Sequence, residues 1–474
     1  MRGEDRNTLR GKYQKEGFGE VFILPCRDQG RRTQQLTLKL EVEKMKRLAM
    51  VVGMFVALAF AFNLFVPGHA SHAFKPGEVV VGAAWDLTGP FAPSGTPIAD
   101  GERDYVRYVN EKLGGINGHK VKLIGIDTSY NMDREIAAYK RFRDAENVLF
   151  MTNVSSGAAM AIEKMQTPYE KGICHEHGAE PTATFIKGGW YFPSVCMWAD
   201  GGGAVFKWWL EKRWYAKNNK APRVALMHLD ALPGRTSSKY FKDQCKQMNI
   251  PVVIEMYTPF KPTDTMSFVL AMKKEKPDIV IGIQTEPCWA VMCKDMRRVG
   301  LKIPRMSPYF GPLDPDAIKG MGKAGIGMLS FLPYATQDDK DVEAIKVIHQ
   351  LAKEWHKGVV PTRHTHYWGW FRMAMKLEAI KRAMDKVGYE GLTKDIQEGR
   401  KAVREVCAND MKGYTAMGMV SPITFSEEDH RPYQNIRAFE VVEGAKGLTI
   451  KAVSGWIDVP KLRSEQMNAD WWVK

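Results

Sequence analysis

The sequence predicts an α/β fold made of two Rossmann-like lobes, in which parallel sheets are flanked by helices. Short apolar runs of strand length alternate along the chain with longer helical stretches, the pattern typical of parallel strands joined by helical crossovers. The alternation stops at a glycine run, 201–203, and then restarts, which indicates a second lobe. Because open parallel sheets bind ligands outside the carboxyl ends of their strands, the expected site is the cleft between the lobes.

The first set of units opens at residue 79. An apolar run over 79–84 predicts a buried strand, and a Gly/Pro-rich turn leads from it to a helix over 97–113. The glycines that follow residue 113 end that helix. The next units are predicted as strands 121–126, 148–152 and 173–174 and as helices 133–147 and 157–171.

The second set of units begins after the glycine run, with a helix over 204–215. Predicted strands 224–228, 252–256 and 279–283 then alternate with helices 235–248, 265–274 and 288–299. The length of the chain agrees with this organisation, because 474 residues are too many for one average domain.

The amino-terminal region carries the marks of export. Basic residues at 44, 46 and 47 precede an apolar run over 48–66, and small residues follow up to Ala73. A basic, an apolar and a small-residue segment in this order predict a secretory signal peptide over 45–73, cleaved after Ala73. Cleavage after Ala70 is an alternative. An uncleaved anchor is another, because the run is close to the length that spans a bilayer.

Residues 1–44 do not fit a signal peptide, because they are polar and lie upstream of one. We expect translation to start at Met45 and the residues before it to be a mis-assigned extension.

Charge and composition limit the classes of partner. The formal net charge is +14, but the basic residues are dispersed among acidic ones without a run of five like charges. No nucleic-acid-binding signature is present, so a solvated surface explains the charge and no nucleic-acid partner is predicted. A content of 45% apolar and 26% charged residues indicates a globular chain.

Six cysteines lie beyond the signal segment, and export makes disulfides permissible. Cys174 and Cys196 end two short apolar segments and are the candidate pair. Cys288 and Cys293 lie on one predicted helix, where their side chains diverge. No C-x-x-C spacing supports a zinc site, so no metal is predicted.

Several motifs follow one another in a set order and spacing. They are Gly82-Ala83-Ala84-Trp85-Asp86-Leu87-Thr88-Gly89-Pro90, Ser94-Gly95, Gly114-Gly115-Ile116-Asn117-Gly118, Ser155-Ser156, Lys276-Pro277-Asp278-Ile279-Val280 and Arg298-Val299-Gly300-Leu301. With these motifs the chain resembles the type I periplasmic binding proteins, in the Leu/Ile/Val-binding branch of ABC-importer receptors. The resemblance extends over about residues 78–460.

The resemblance implies a two-lobe clamp joined by a three-strand hinge, with lobe 1 at 74–200 and 334–420 and lobe 2 at 201–333 and 421–474. It implies a monomeric periplasmic receptor without a cofactor, which traps a small molecule by hinge closure and delivers it to ABC permease subunits. An exported sensor domain that presents its ligand to a membrane receptor is the alternative.

Ligand contacts on lobe 1 are implied by the same resemblance. Ser155 aligns with a serine that holds the ligand carboxylate, beside Ser156, although both could simply cap the helix that follows. The further candidates taken from this lobe are Trp85, Ser94, His177, Ala179, Glu180 and Tyr367.

On lobe 2 the chain departs from the family pattern. The carboxylate that grips an amino acid's ammonium aligns with Tyr309, and two family tyrosines align with Pro233 and Thr285. A buried ammonium without an anion is costly, so a leucine-type ligand is not expected unless Glu180 or Glu286 supplies the anion. The aromatic residues of the cleft favour an aromatic or aliphatic carboxylate or an amide.

The sequence 174–177 contains two histidines that share one face of an extended chain. Three interpretations stay open: structural histidines, a ligand contact by His177, and a metal site completed by His364 or His366. No established zinc spacing favours the metal site. Motifs of nucleophilic, nucleotide-binding and zinc-protease enzymes are absent from the sequence, so a binding protein is predicted rather than an enzyme, with a metal-dependent hydrolase as the remaining alternative.

Overall fold

The computed structural model describes residues 74–166, 171–177, 188–432 and 434–459. The predicted extension 1–44, the signal segment 45–73 and the candidates Ala179 and Glu180 lie outside these ranges. Within them, every helix is too short or too polar to cross a membrane.

Parallel sheets flanked by helices confirm the predicted fold class. The strands of the first sheet are β1 (Lys75–Trp85), β2 (His119–Asp127), β3 (Phe150–Thr152) and β4 (Cys174–Glu176). The helices between them are α1 (Ala92–Leu113), α2 (Met132–Asp144) and α3 (Ser156–Gln166).

The second sheet begins after α4 (Trp198–Trp209). Its first strands are β5 (Val224–Leu229), β6 (Val252–Thr258), β7 (Ile279–Ile281), β8 (Arg305–Met306) and β9 (Met328–Leu332). The helices among these strands are α5 (Leu232–Gln247), α6 (Met266–Glu275), α7 (Glu286–Arg298) and α8 (Pro315–Met321).

The chain then returns to the first sheet before it completes the second. This part contains α9 (Glu343–Trp355), α10 (His364–Thr393), α11 (Ile396–Glu405) and a small sheet of β10 (Lys412–Tyr414) and β11 (Ile423–Thr424). Strands β12 (Asn435–Gly444) and β13 (Gly447–Asp458) finally join the second sheet in antiparallel orientation.

The strand orders place ligand-binding edges on both sheets. The first sheet has the order β2-β1-β3-β4 and the second has β13-β12-β9-β8-β7-β5-β6. In the first sheet, β2 lies on one side of β1 and the later strands lie on the other. In the second sheet, β6 lies on one side of β5 and the later strands lie on the other. Loops that leave the carboxyl ends of adjacent strands diverge at such a switch point and leave a crevice.

Helices α1 and α10 cross at a pair of glycines. A Cβ atom at Gly101 would lie 2.1 Å from the carbonyl oxygen of His366, and one at Gly369 would lie 2.0 Å from that of Ile98. Only glycine therefore allows the two backbones to approach so closely. The crossing brings the start of α1 and one face of α10 to the same side of the first sheet.

Helix α1 begins at Ala92 rather than at the predicted residue 97, with Pro97 inside it. A proline within a helix leaves the carbonyl four residues earlier without its usual partner. Here Arg363 donates a hydrogen bond of 2.9 Å to the carbonyl oxygen of Pro93, which satisfies that group. A contact from elsewhere in the chain thus explains the earlier start.

The glycine run 201–203 lies inside α4, so the prediction that it separates two units before a helix at 204 is wrong. A Cβ atom at Gly201 would lie 2.3 Å from the ring of Phe331, and one at Gly202 would lie 2.6 Å from Pro308. The glycines let α4 pack closely on the second sheet, a tertiary requirement that local propensity does not report.

Three passages connect the two sheets within the described chain: after β4, after β9 and before β12. The second and third run side by side, because Tyr334 and Val420 form an antiparallel bridge. The first joins the third through Gln434, which accepts a hydrogen bond of 2.6 Å from the backbone N–H of Cys196 and donates one of 2.9 Å to the carbonyl oxygen of Ser194.

The structure does not join Cys174 to Cys196, contrary to the prediction, because both are buried free thiols. Cys174 lies on β4 with its thiol in contact with Cys407, whereas Cys196 lies in the passage that leads to α4. Residues 190–192 pair with His175 beside β4, but Cys196 lies four residues past this pairing, in the passage to α4, so the two thiols are not brought together.

Candidate functional site

A cavity of about 40 Å³ lies where the loops from the two sheets meet. Its wall is largely aromatic, and the rings belong to Phe91, Tyr130, Trp198, Tyr309 and Trp368. The ring of Trp198 lies 4.6 Å from that of Tyr309, and Phe91 meets Tyr309 edge to face at 6.4 Å. The polar side chains in the wall are those of Ser94, His177 and Arg372.

Turn chemistry explains why Ser94 reaches this cavity. The carboxylate of Asp86, just after β1, accepts a hydrogen bond of 2.8 Å from the backbone N–H of Phe91. Asp127, at the end of β2, accepts hydrogen bonds from the backbone of Leu87 and the hydroxyl of Thr88. These two carboxylates fold the Gly/Pro-rich turn, and the turn sets the position of the first residues of α1.

Ser94 also connects the two lobes. Its hydroxyl donates a hydrogen bond of 2.5 Å to Oε1 of Glu286, at the start of α7. The hydroxyl of Tyr309 lies 2.8 Å from Ser94 Oγ and 3.0 Å from the same Glu286 oxygen. Burial raises the pKa of Glu286 above its ordinary value, against the hydrogen bond from Ser94, and this favours the protonated carboxyl.

The second oxygen of Glu286 is buried, and no residue that the structure describes hydrogen-bonds to it. A buried polar atom without a partner costs free energy unless something binds to it. Oε2 of Glu286 therefore keeps an unused hydrogen-bond position next to Ser94 and Tyr309, which line the cavity.

The start of α3 is already occupied by a carboxyl group of the protein itself. Oε2 of Glu135 accepts hydrogen bonds of 3.1 Å from the backbone N–H groups of both Val154 and Ser155. Burial raises the pKa of Glu135 to about 7, although these hydrogen bonds favour its ionised form. The hydroxyl of Ser155 accepts a hydrogen bond of 3.1 Å from the N–H of Ala158, so it caps the helix.

His177 lines the cavity next to Ser156. Its Nε2 lies 3.1 Å from the hydroxyl of Ser156, and its carbonyl oxygen accepts a hydrogen bond of 2.8 Å from Tyr191. Burial and the nearby charge of Arg372 lower the pKa of His177 to about 3, so the ring is neutral at physiological pH. A neutral imidazole can accept or donate one hydrogen bond at each nitrogen.

The other histidines have separate surroundings. His175 lies 2.8 Å from Glu163 and 3.0 Å from Asn153 inside the first lobe. His364 contacts Asp314, and His366 lies 3.5 Å from Asp104. In the part of the chain that the structure describes, no group of three or more His, Cys, Asp or Glu side chains could hold a metal ion.

Arg372 belongs to a buried network of charges behind the cavity. Its Nε donates a hydrogen bond of 2.5 Å to Glu176, and Lys376, one helical turn later, lies 2.7 Å from Glu102. Burial alone would raise the pKa of Glu102, but Lys376 and Arg372 outweigh it and hold the pKa below its ordinary value. The negative charges of Glu102 and Glu176 thus balance the positive charges of Arg372 and Lys376.

One guanidinium nitrogen of Arg372, which lines the cavity, makes no hydrogen bond to a described residue. Nε and Nη2 bond to Glu176 and to the carbonyl oxygen of Asn153, while no described residue hydrogen-bonds to Nη1. The guanidinium also lies 4.8 Å from the ring centre of Trp368. A planar donor group beside an aromatic face suits a carboxylate attached to a ring.

The structure brings together three of the predicted ligand residues, Ser94, His177 and Tyr309, with Ser155 and Ser156 next to them. The remaining described candidates do not line the cavity. Trp85 donates a hydrogen bond of 2.6 Å to Glu102, Thr285 caps α7, Tyr367 donates to the carbonyl oxygen of Pro361, and Pro233 is buried in the first turn of α5.

Sequence reasoning did not single out Arg372 or Trp198. A signal for Arg372 exists, because Trp368, Arg372 and Lys376 are four residues apart and share one face of α10. Two bases on the same face of an otherwise apolar helix indicate a buried partner. Trp198 had no comparable signal, since its place depends on the packing of α4.

Comparisons with known proteins agree with the fold. A family model described as a periplasmic binding protein matches residues 78–446. A search of curated proteins returns no match. Among solved structures, a branched-chain amino acid ABC transporter protein from Thermus thermophilus with bound valine has a TM-score of 0.68 and 17% identity, covering 81% of this chain and 97% of that one.

Two further structures are similar. A solute binding protein of an ABC transporter from R. palustris, in complex with 4-hydroxybenzoate, has a TM-score of 0.65 and 18% identity, covering 81% of this chain and 98% of its own. A fatty acid ABC transporter substrate-binding protein from Thermomonospora curvata has a TM-score of 0.65 and 18% identity, with coverages of 83% and 94%. At these identities the likeness concerns the fold.

Proposed function

Because the chain belongs to the periplasmic binding protein family, we propose that it is the extracytoplasmic receptor of an ABC importer. It captures a small solute between its lobes and delivers the solute to the permease subunits as a monomer. The segment 45–73 directs export, and the lobes comprise 74–200 with 334–420 and 201–333 with 421–474.

The ligand we propose is an aromatic carboxylate without an ammonium group. The observation that carries this proposal is the position of Arg372 Nη1, an unoccupied cationic donor in a wall of aromatic rings. A ring between Trp198, Tyr309 and Trp368 gains apolar burial and stacking, while a carboxylate gains a charge-assisted hydrogen bond. The R. palustris protein, of the same fold, was solved with 4-hydroxybenzoate.

The state of Glu286 supports the absence of an ammonium. An ammonium needs an ionised carboxylate, but burial raises the pKa of Glu286 above its ordinary value, and Ser94 and Tyr309 already occupy Oε1. A protonated carboxyl would instead meet a hydroxyl or carbonyl on the ligand.

A second candidate is an α-amino acid, and a specific observation favours it. Oε2 of Glu286 is buried and without a partner beside Tyr309, the position that aligns with the family's ammonium-binding carboxylate. An ammonium there would draw Glu286 into its ionised form. Valine is the ligand of the Thermus thermophilus protein.

Ligand entry requires the lobes to separate, because the cavity holds only about 40 Å³. An aromatic acid enters after a hinge opening at the three passages between the sheets, and the cavity must widen around it as the lobes close again. The bridge between Tyr334 and Val420 keeps two of the passages together during that motion.

The proposal is tested by calorimetric titration and by uptake. We expect 3-phenylpropionate or 4-hydroxybenzoate to bind with a 1:1 stoichiometry, and cells that lack this chain to lose uptake of the same solute. Binding of the solute by the purified chain, without any loss of uptake in cells that lack the chain, would indicate a sensor rather than an importer receptor. Hydrolysis of an ester or amide by the purified chain would contradict both roles.

A further inference from the structure

A second cavity lies on the lobe 2 sheet, at the opposite strand ends from the cleft. It has a volume of about 900 Å³ and is bordered by the residues that precede β7, β8 and β9. Glu286 and Tyr309, by contrast, follow the carboxyl ends of β7 and β8. We call this second cavity the basal groove. Its volume lies in the range of small-molecule sites.

The basal groove carries an excess of positive charge. Lys217, Arg297 and Lys302 border it, are exposed, and have no acidic partner among the described residues. Among the described residues, two acids line the groove, Asp278 and Glu440, and of these Glu440 alone forms an ion pair. Asp278 accepts the backbone N–H of Arg223, and Glu440 forms a two-point ion pair with Arg213. Three positive charges without an acidic partner therefore face one negative charge, that of Asp278, and the groove has a net excess of positive charge.

The interior of the groove is apolar and contains an unsatisfied donor. Trp209 and Leu329 form buried parts of the wall, with Ile303 half-buried beside them. The guanidinium of Arg305 donates to the carbonyl oxygen of Ile326, but its Nε is buried and has no hydrogen-bond partner among the residues that the structure describes. An unpaired buried donor is costly unless an acceptor comes to it.

Local backbone structure also singles out this wall. Helix α4 ends in a π-helical turn, Leu210–Trp214, which turns Arg213 and Trp214 toward the groove. The ring of Trp214 stacks on that of Trp209 at 5.6 Å. π-helical turns cost stability and occur often at functional sites.

From these observations we infer that the basal groove binds an amphiphilic anion, a phosphate or carboxylate joined to an apolar body. The rim cations hold the anion, and the apolar interior holds the body. A simple anion would gain nothing from the interior, and a neutral apolar molecule would gain nothing from the rim. Binding at the basal groove does not depend on which ligand the cleft binds.

Calorimetry of the full chain with octyl phosphate tests the inference. We expect saturable 1:1 binding, with inorganic phosphate and octyl glucoside each at least about tenfold weaker. The double variant Arg297→Glu/Lys302→Glu should lower the affinity for octyl phosphate by about tenfold or more. These residues are exposed, so the substitutions leave the fold intact.

A control with the same change of net charge is Lys246→Glu/Lys274→Glu, two exposed lysines of the same lobe outside the groove. It should bind octyl phosphate like the original chain. Equal losses in both double variants, equal affinity for inorganic phosphate, or an unaffected Arg297→Glu/Lys302→Glu would overturn the inference. Binding to phosphatidylglycerol vesicles with none to octyl phosphate would also overturn it, because the groove would then be a membrane-facing surface.

Discussion

Ser94 and Glu286 are 192 positions apart in the chain and are joined by a hydrogen bond of 2.5 Å across the cleft. The bond ties the start of α1 to the start of α7, so in the hinge motion that we propose it forms only when the lobes close. A bond of this kind stabilises the closed state in which a ligand is trapped. In that proposal, the affinity for the ligand depends on this bond between the lobes as well as on the contacts of the ligand itself.

Replacing Ser94 by alanine should weaken ligand binding. The closed state loses the donor to Glu286, and a hydrogen bond to a carboxyl group contributes about 1–3 kcal/mol. Calorimetry should show a Kd raised by roughly 5- to 150-fold. Ser267→Ala, an exposed serine at the start of α6, is the matched control. An unchanged Kd for Ser94→Ala would mean that the bond does not contribute to closure.

Glu286→Gln separates the two candidate ligand classes. Glutamine still accepts hydrogen bonds from Ser94 and Tyr309, so 3-phenylpropionate should lose no more than about threefold in affinity. Phenylalanine has the same ring and carboxylate with an added ammonium, and its binding would need the ionised glutamate. If the original chain bound phenylalanine tightly and Glu286→Gln bound it more weakly by about a hundredfold or more, the ligand would instead be an amino acid.

Glu135 should make stability depend on pH. Its pKa of about 7 lies above that of an unfolded glutamate, so the native state binds more protons between about pH 4.5 and 7. The contribution of Glu135 is therefore most favourable below pH 4.5 and is lost as the pH rises through 7. The loss amounts to about 3 kcal/mol.

The variant Glu135→Gln isolates this effect, because an amide oxygen can still accept the N–H groups of Val154 and Ser155. We expect the variant to gain stability relative to the original chain as the pH is raised from 5 to 8, measured by urea unfolding at both values. The other titrating groups cancel in this comparison. The same stability difference at both pH values would show that Glu135 does not titrate in this range.

The crossing of α1 and α10 gives a prediction about packing. Gly369→Ala places a Cβ atom 2.0 Å from the carbonyl oxygen of Ile98, so the helices must move apart at a cost of about 1–3 kcal/mol. Thermal unfolding should report the loss. Gly320→Ala is the control, since its Cβ would meet only Ala290 at an ordinary 3.5 Å and alanine is the better helix former. Equal stability of the two variants would contradict the close approach.

The sequence predicted the alternation of strands and helices well, because the buried runs near 79–84 and 224–228 are apolar on both faces. It failed where distant contacts decide the local structure. Pro97 lies within a helix because Arg363 satisfies the carbonyl of Pro93, and Gly201 lies within a helix because Phe331 needs the space. Neither neighbour can be identified from local pattern.

The sequence predicted only part of the site, because the rest of it also depends on distant contacts. Ser94, His177 and Tyr309 follow strands or open helices at carboxyl ends, so their chain positions indicate the cleft. The aromatic wall needed the packing of α4, which puts Trp198 beside Tyr309. The hydrogen bonds of Glu135 to the start of α3 depend on the contact between α2 and α3, and they favour the helix cap among the two interpretations of Ser155 that the sequence left open.

The most direct test of the central claim is a thermal-shift screen over amino acids, aromatic acids, amides and urea derivatives. A ligand at a hundred times its Kd stabilises the folded chain by about 2.7 kcal/mol. We predict the largest shift for an aromatic carboxylate without an ammonium, such as 3-phenylpropionate or 4-hydroxybenzoate. The largest shift with leucine, isoleucine or valine would contradict the account.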